Sequence, residues 1–219
     1  VLQPERTDGL TDAIAAQGAT TLALERIPRV TRAQKMDVLS SMATVAGYRA
    51  VLMAAERLDK FFPMLMTAAG TVAPAKVFVV GAGVAGLQAI ATARRLGAVV
   101  TAYDTRAAVR EQVESLGAQF VDFRVTDDAE AAGGYARELT AEEQGRQREL
   151  MADHVAGQDV VVTTALVPGR TAPVLVPTAT VERMRAGSVL DDLASAKGGN
   201  VEPSVHGEEV VHAGVRVLG

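Results

Sequence analysis

Apolar and polar positions divide the chain into two parts with different rhythms. In the first part, residues 5–17 read as a helix, with Leu10, Ile14 and Ala15 on its apolar side and Gly18 as its stop. Residues 20–24 read as a short strand and residues 32–58 as one long helix, with residues 61–74 a loop containing Pro63, Gly70 and Pro74. From Lys76 the pattern becomes strand–helix–strand. Strands are expected at 77–80, 99–103, 119–121, 159–163 and 188–190, and helices at 84–96, 107–116, 141–155 and 181–186. The tail reads as a hairpin turning through His212, Ala213 and Gly214. Strands that are apolar throughout, alternating with helices, belong to a parallel sheet covered on both faces. The expected fold is therefore α/β, a doubly wound parallel sheet over residues 61–219, with residues 1–60 the remnant of a second α/β domain plus a connecting helix.

Composition narrows the chemistry. The 219 residues are 48% hydrophobic, enough for a packed core, and contain neither a repeat nor a low-complexity tract. The balance of 26 acids against 22 bases gives no global basic field, which argues against a nucleic-acid partner. The absence of cysteine removes disulfides, thiolate catalysis and cysteine-based metal sites. The apolar run at 77–87 is too short and too glycine-broken for a membrane span, and the first residues show no signal-peptide pattern. The chain opens on Val1 rather than methionine and closes in a strand-like run, so both ends read as cut.

Gly81-Ala82-Gly83-Val84-Ala85-Gly86 follows one expected strand and opens a helix, and Asp104 stands at the end of the next strand, 18 residues beyond Gly86. That context turns a weak glycine pattern into a dinucleotide-binding one. Gly81 permits the tight turn, Gly83 lets the backbone approach a pyrophosphate, and Gly86 allows the helix to pack closely on the strand. A carboxylate at Asp104 accepts hydrogen bonds from an adenosine ribose and repels a 2′-phosphate, so NAD(H) is expected over NADP(H). Arg106 works against that preference, because a nearby arginine can accommodate the phosphate. A second polar constellation lies upstream: Gln34, Asp37 and Ser41 are spaced to share one helical face, with Ser40 adjacent and Thr44 continuing the stripe. From pattern alone this stripe is either solvated or lines a cleft.

Together these segments resemble the NAD(H)-binding domain of the alpha subunit of proton-translocating nicotinamide nucleotide transhydrogenases, which are related to alanine dehydrogenases. The resemblance runs through Pro28-Arg29-Val30-Thr31-Arg32-Ala33-Gln34, Asp37-Val38-Leu39-Ser40-Ser41, Ala46-Gly47-Tyr48-Arg49-Ala50 and the glycine loop. It continues through Asp104-Thr105-Arg106, Gly133-Gly134-Tyr135-Ala136, Thr163-Thr164-Ala165-Leu166-Val167-Pro168-Gly169 and Gly198-Gly199-Asn200. The first block selects the transhydrogenase branch over the alanine dehydrogenase branch.

The resemblance implies a Rossmann-type domain. Arg29, Gln34, Asp37 and Ser40 would surround the nicotinamide and its ribose. Gly81, Ala82, Gly83, Val84, Ala85, Gly86, Asp104, Thr105, Arg106, Thr164, Ala165 and Leu166 would hold the rest of the dinucleotide, and Tyr135 would sit on a loop that closes over it. The implied reaction is Re/Si-specific hydride transfer from NADH here to NADP⁺ on a separate NADP-binding component, coupled to proton movement by a membrane domain. A homodimer is implied, as is a soluble position on the cytoplasmic side of a bacterial inner membrane, or the matrix side in mitochondria. Independently, residues 126–150 hold seven acids, three bases and three glycines, a poor core segment.

Three departures stand out: the family has an apolar residue where Asp191 stands, an acid where Ala196 stands, and a further N-terminal half-domain. Two rival readings stay open, an amino-acid dehydrogenase of the alanine dehydrogenase type and a non-catalytic NAD-binding module. His154, His206 and His212 lack metal-ligand spacing and read as surface histidines, so no metal is expected. Met64 and Met66 beside Phe61 and Phe62 read as inter-domain packing.

Overall fold

The computed structural model describes residues 9–28, 30–123, 130–131, 135–136, 141–166 and 171–219, the two short stretches at 130–131 and 135–136 by backbone only. The chain divides into two compact units, Val1–Val45 and Ala46–Gly219.

In the first unit α1 spans Leu10–Ala16, and 3-10 segments follow at Leu24–Arg26 and Thr31–Met36. The strand expected at 20–24 does not form; a strand persists only where a neighbour takes its N–H and C=O groups, and no described strand pairs with this segment. The single helix expected at 32–58 is broken at Asp37, and α2 begins only at Val38 and runs to Arg57. Asp37 is the cause: its Oδ1 accepts the Ser40 N–H at 2.9 Å and its Oδ2 accepts the Ser40 hydroxyl at 2.7 Å, the geometry of a helix N-cap. Gln34 therefore lies on the 3-10 turn and does not share a continuous α-helical face with Asp37 and Ser41.

The second unit takes α2 from Ala46 onward, and there Gly47, Ala50, Val51 and Ala54 are buried. Residues 46–60, which the sequence groups with the N-terminal part, thus contribute to the core of the sheet. Helix α2 is also long and apolar enough, by length and composition alone, to cross a membrane, a test that a core helix passes too. The segment expected as a loop at 61–74 holds a small antiparallel hairpin, β1 (Leu65–Thr67) and β2 (Gly70–Val72). Phe62 is buried in the core, and Phe61, Met64 and Met66 are exposed.

The sheet follows the expected rhythm closely. Its elements are β3 (Lys76–Val80), α3 (Val84–Arg95), β4 (Val99–Tyr103), α4 (Arg110–Ser115) and β5 (Gln119–Phe120). After a backbone pairing of β6 (Glu130–Ala131) with β7 (Tyr135–Ala136) come α5 (Ala141–Ala156), β8 (Val160–Thr163), α6 (Thr178–Val181) and β9 (Val189–Asp192). The hairpin of β10 (Glu209–His212) and β11 (Val215–Leu218) closes the edge. The order across the main sheet is β10-β11-β9-β8-β3-β4-β5, parallel except for the β10–β11 pair. The helix expected at 181–186 is shifted back to α6, whose N-cap is Pro177.

Alternation along each strand builds two apolar layers. Val77 and Val79 face the layer that includes Ala50, Val51, Ala54 and Ile90. Phe78 and Val80 face the layer that includes Met151, Val155 and Val181. Each fully buried valine, isoleucine or phenylalanine among them contributes on the order of 1.5–3 kcal/mol. His154 departs from the surface expectation. It is half-buried in the second layer, its ring centroid 4.6 Å from Phe78 and 5.7 Å from Phe123, and Nε2 is 2.9 Å from the Thr101 hydroxyl. Burial and then the Lys76 charge lower its pKa, so its neutral form is favoured.

Candidate functional site

The chain runs from β3 outward to β4 and β5, then crosses back to β8 and β9 on the other side of β3. The switch point is therefore the crevice between the carboxyl ends of β3 and β8, where open α/β sheets bind ligands. The glycine loop follows β3 directly, residues 164–166 follow β8, and Asp104 follows the neighbouring β4.

Gly81 leaves β3 with φ of 96°, a left-handed conformation that favours glycine, and a β-carbon there would stand 2.5 Å from the Thr164 hydroxyl. Thr164, at the end of β8, donates that hydroxyl toward the carbonyl oxygens of Gly81 (3.0 Å) and Val80 (3.2 Å). A β-carbon on Gly86 would run into the Gly81 carbonyl, so α3 can pack this closely only with glycine at that position. At Gly83, by contrast, nothing lies within 4 Å of where a β-carbon would stand. The backbone there is open on the side where a ligand would approach. The first N–H groups of α3 have no partner within the helix and form a ready anion site.

Asp104 follows β4 and is held by hydrogen bonds on both oxygens. Its Oδ2 accepts the Ala82 N–H at 2.8 Å, inside the glycine loop, and its Oδ1 accepts the Arg106 N–H at 2.8 Å. The Arg106 guanidinium adds Nε to Oδ1 and Nη2 to Oδ2, both at 3.0 Å. Burial would raise the Asp104 pKa, but the Arg106 and Ala82 bonds outweigh it and hold the carboxyl below its ordinary value. Thr105, between the two, is exposed. Upstream, the Tyr103 hydroxyl accepts the Gln147 amide of α5 at 3.1 Å, and burial followed by the Asp122 and Asp104 charges raises the phenol pKa.

The third wall is only partly readable in the sequence. Asn200, fully buried, clamps the chain after β8. Its Oδ1 accepts the Ala165 N–H at 2.9 Å, and its Nδ2 donates to the carbonyls of Ala165 (2.9 Å) and Pro173 (2.8 Å). Asn200 is itself held by Asp192, whose Oδ2 accepts the N–H groups of Asn200 (2.9 Å) and Val201 (3.1 Å) and the Ser204 hydroxyl (2.8 Å). Asp192 Oδ1 accepts from the Thr163 hydroxyl and the Ala194 N–H, both at 3.0 Å. Asp192 and Asn200 thus fix Thr163 and Ala165 on either side of Thr164, while Leu166 is exposed. The available signal is an asparagine directly after Gly198-Gly199, two left-handed residues that turn the chain back under the sheet end.

Of the residues expected around the nicotinamide, Gln34, Asp37 and Ser40 belong to the first unit, where Asp37 and Ser40 are bonded to each other and the Gln34 side chain is exposed. Arg29 and the Tyr135 side chain lie outside the described residues. A cleft of ≈ 350 Å³ between Lys76, Val99, Thr101 and His154 lies at the amino ends of β3 and β4, the opposite edge from the glycine loop. Among the described residues no group of three or more His, Asp or Glu could hold a metal ion.

A family model described as the alanine dehydrogenase/PNT C-terminal domain matches residues 50–219, and its N-terminal counterpart matches residues 1–46. An NAD(P) transhydrogenase subunit alpha protein of Rhodospirillum rubrum is 51% identical over 210 residues, 95% of this chain and 55% of that protein. The corresponding protein of Rickettsia prowazekii is 46% identical over 219 residues, 100% of this chain and 57% of its own length. An alanine dehydrogenase of Mycolicibacterium smegmatis is 33% identical over 90% of this chain and 49% of its own. The crystal structure of transhydrogenase from Sinorhizobium meliloti is 52% identical and superposes with a TM-score of 0.87, covering 99% of this chain and 58% of that one. The chain spans a little over half the length of these two curated relatives, 55% and 57%.

Proposed function

The chain belongs to the alanine dehydrogenase/PNT family, and we propose that it is the NAD(H)-binding, hydride-donating part of a proton-translocating NAD(P) transhydrogenase. The observation that carries this reading is the glycine turn at the sheet's switch point, open at Gly83, with Asp104 bonded to its Ala82 N–H. Higher identity to transhydrogenase alpha subunits than to alanine dehydrogenases favours hydride exchange over amino-acid oxidation.

Bound here, the nicotinamide of NADH would supply the hydride. The residues supply position. The open backbone at Gly83 and the N–H groups that begin α3 would hold the pyrophosphate, and Asp104 would accept the adenosine ribose hydroxyls. Thr164, Ala165 and Leu166, with Ala165 held by Asn200, would form the wall beside the ring. Gln34, Asp37 and Ser40, with Arg29, would orient the nicotinamide and its ribose, and Tyr135 would close over the nucleotide. Direct exchange between two nicotinamides needs no acid–base pair from the protein. By the same reading NADP(H) is bound by a separate component and a membrane domain couples the exchange to protons. The chain would act as a homodimer, peripheral to the membrane on the cytoplasmic or matrix side.

The test is calorimetric titration with NADH and NADPH, followed by mixing with the NADP-binding component and measuring hydride exchange. Binding of NADH with exchange supports the reading. Binding without exchange favours a non-catalytic NAD-binding module, and oxidation of alanine favours the dehydrogenase.

A further inference from the structure

Asp104 and Arg106 form a closed pair rather than a lone carboxylate. The guanidinium lies along the carboxylate edge through Nε and Nη2, both at 3.0 Å, and the Arg106 N–H completes the grip at 2.8 Å. The carboxylate side chain is 7% exposed and the arginine side chain 61% exposed. The acid is thus sunk against the glycine loop while the cation stands at the mouth of the site, with N–H donors remaining beyond the two that face Asp104.

Two consequences follow from electrostatics. A carboxylate already neutralised by an adjacent guanidinium repels a phosphate dianion less than a bare one does. And a guanidinium whose anionic partner is removed keeps its charge and becomes a planar, fork-shaped phosphate receptor in the same place. From this geometry, and resting on the dinucleotide reading above, we infer that Arg106 is a specificity-determining residue: a latent receptor for the 2′-phosphate of an adenine dinucleotide, held shut by Asp104.

Asp104→Asn keeps an oxygen that can accept the Ala82 N–H and removes the charge that engages Arg106. Wild type, Asp104→Asn and Asp104→Asn/Arg106→Ala are titrated with NADH, NADPH, 5′-AMP and adenosine 2′,5′-bisphosphate. In Asp104→Asn, affinity for the two 2′-phosphorylated nucleotides should rise on the order of tenfold over wild type. The double variant should lose that gain. The single variant Arg106→Ala, in which the Asp104 charge is unscreened, should widen the NADH-over-NADPH preference several-fold. No gain in Asp104→Asn, a gain that survives Arg106→Ala, or an unchanged preference in the single variant would each overturn the inference. Failure of wild type to bind NADH and 5′-AMP would instead overturn the dinucleotide reading itself, and the inference with it.

Discussion

Asp191 and Asp192 are neighbours on β9, point to opposite faces of the sheet, and have opposite surroundings. Asp192 has hydrogen bonds to both oxygens, whereas Asp191 Oδ2 is buried with no partner. Asp191 lies on the face of Val189, in the apolar layer that α2 covers. This is the position where the family resemblance leads one to expect an apolar side chain.

Burial, together with the Asp192 charge and against the pull of Arg57, raises the Asp191 pKa from 3.8 to about 7. Below about pH 4 the folded and unfolded chains both carry this proton, and ionisation takes nothing from stability. Between that pH and about 7 the folded chain retains a proton that the unfolded chain has released, so stability falls as pH rises. The full loss, reached above pH 7, is on the order of 4 kcal/mol. Asp191→Asn removes the titration. Urea midpoints at pH 5 and pH 8 should differ less for the variant than for wild type, with the variant the more stable at pH 8. Parallel pH dependence of the two proteins would refute the assignment.

The same substitution one residue later should do the reverse. Asp192→Asn replaces one acceptor oxygen with an amide donor, either facing the Asn200 and Val201 N–H groups or facing the Thr163 and Ala194 donors. Leaving buried donors unmatched should cost about 2–4 kcal/mol in denaturant unfolding at pH 5, and less at pH 8, where losing the Asp192 charge also relieves Asp191. Because Asn200 holds Ala165, NADH affinity should fall as well. A variant as stable as wild type would show that the network adds nothing.

Gly47 and Gly145 make an internal control for close packing. A β-carbon on Gly47 would collide with the backbone carbonyl of Ala85, in the first turn of α3, whereas nothing lies within 4 Å at Gly145 of α5. Gly145→Ala should stabilise the chain by up to about 1 kcal/mol, the usual gain from helix propensity. Gly47→Ala should destabilise it by about 1–3 kcal/mol, since one backbone must move away from the other. Thermal unfolding of both variants gives the comparison, and shifts of the same sign would rule out the close approach.

Legibility in the sequence depends on how local the signal is. The glycine loop, the strands around it and Asp104 are readable because their chemistry is written in short spacings: strand, turn, helix, acid. The break at Asp37 is not, because a side chain capping its own helix leaves the polar spacing helix-like, and only the Asp–Ser pair three residues apart hints at it. The Asp192–Asn200–Ala165 network is hidden for a different reason. It joins the ends of two strands through side-chain bonds to backbone groups 35 and 8 residues apart in sequence. His154 looks like a surface residue because its neighbours Phe78, Thr101 and Phe123 reach it only through the fold.

Gln34 offers a way to separate orientation from affinity. Its backbone carbonyl accepts the Asp37 N–H at 3.2 Å, and its side chain is exposed, so shortening the side chain leaves the Asp37–Ser40 cap intact. Gln34→Asn should therefore change stability by no more than about 0.5 kcal/mol. If the side chain orients the nicotinamide as proposed, the loss should appear where orientation matters. Hydride exchange with the NADP-binding component should slow by about tenfold or more, while the NADH dissociation constant changes less than about threefold. Single-turnover exchange and calorimetry on the same preparation separate the two quantities. Equal losses in rate and affinity would make Gln34 an ordinary binding contact, and no loss in either would remove it from the site.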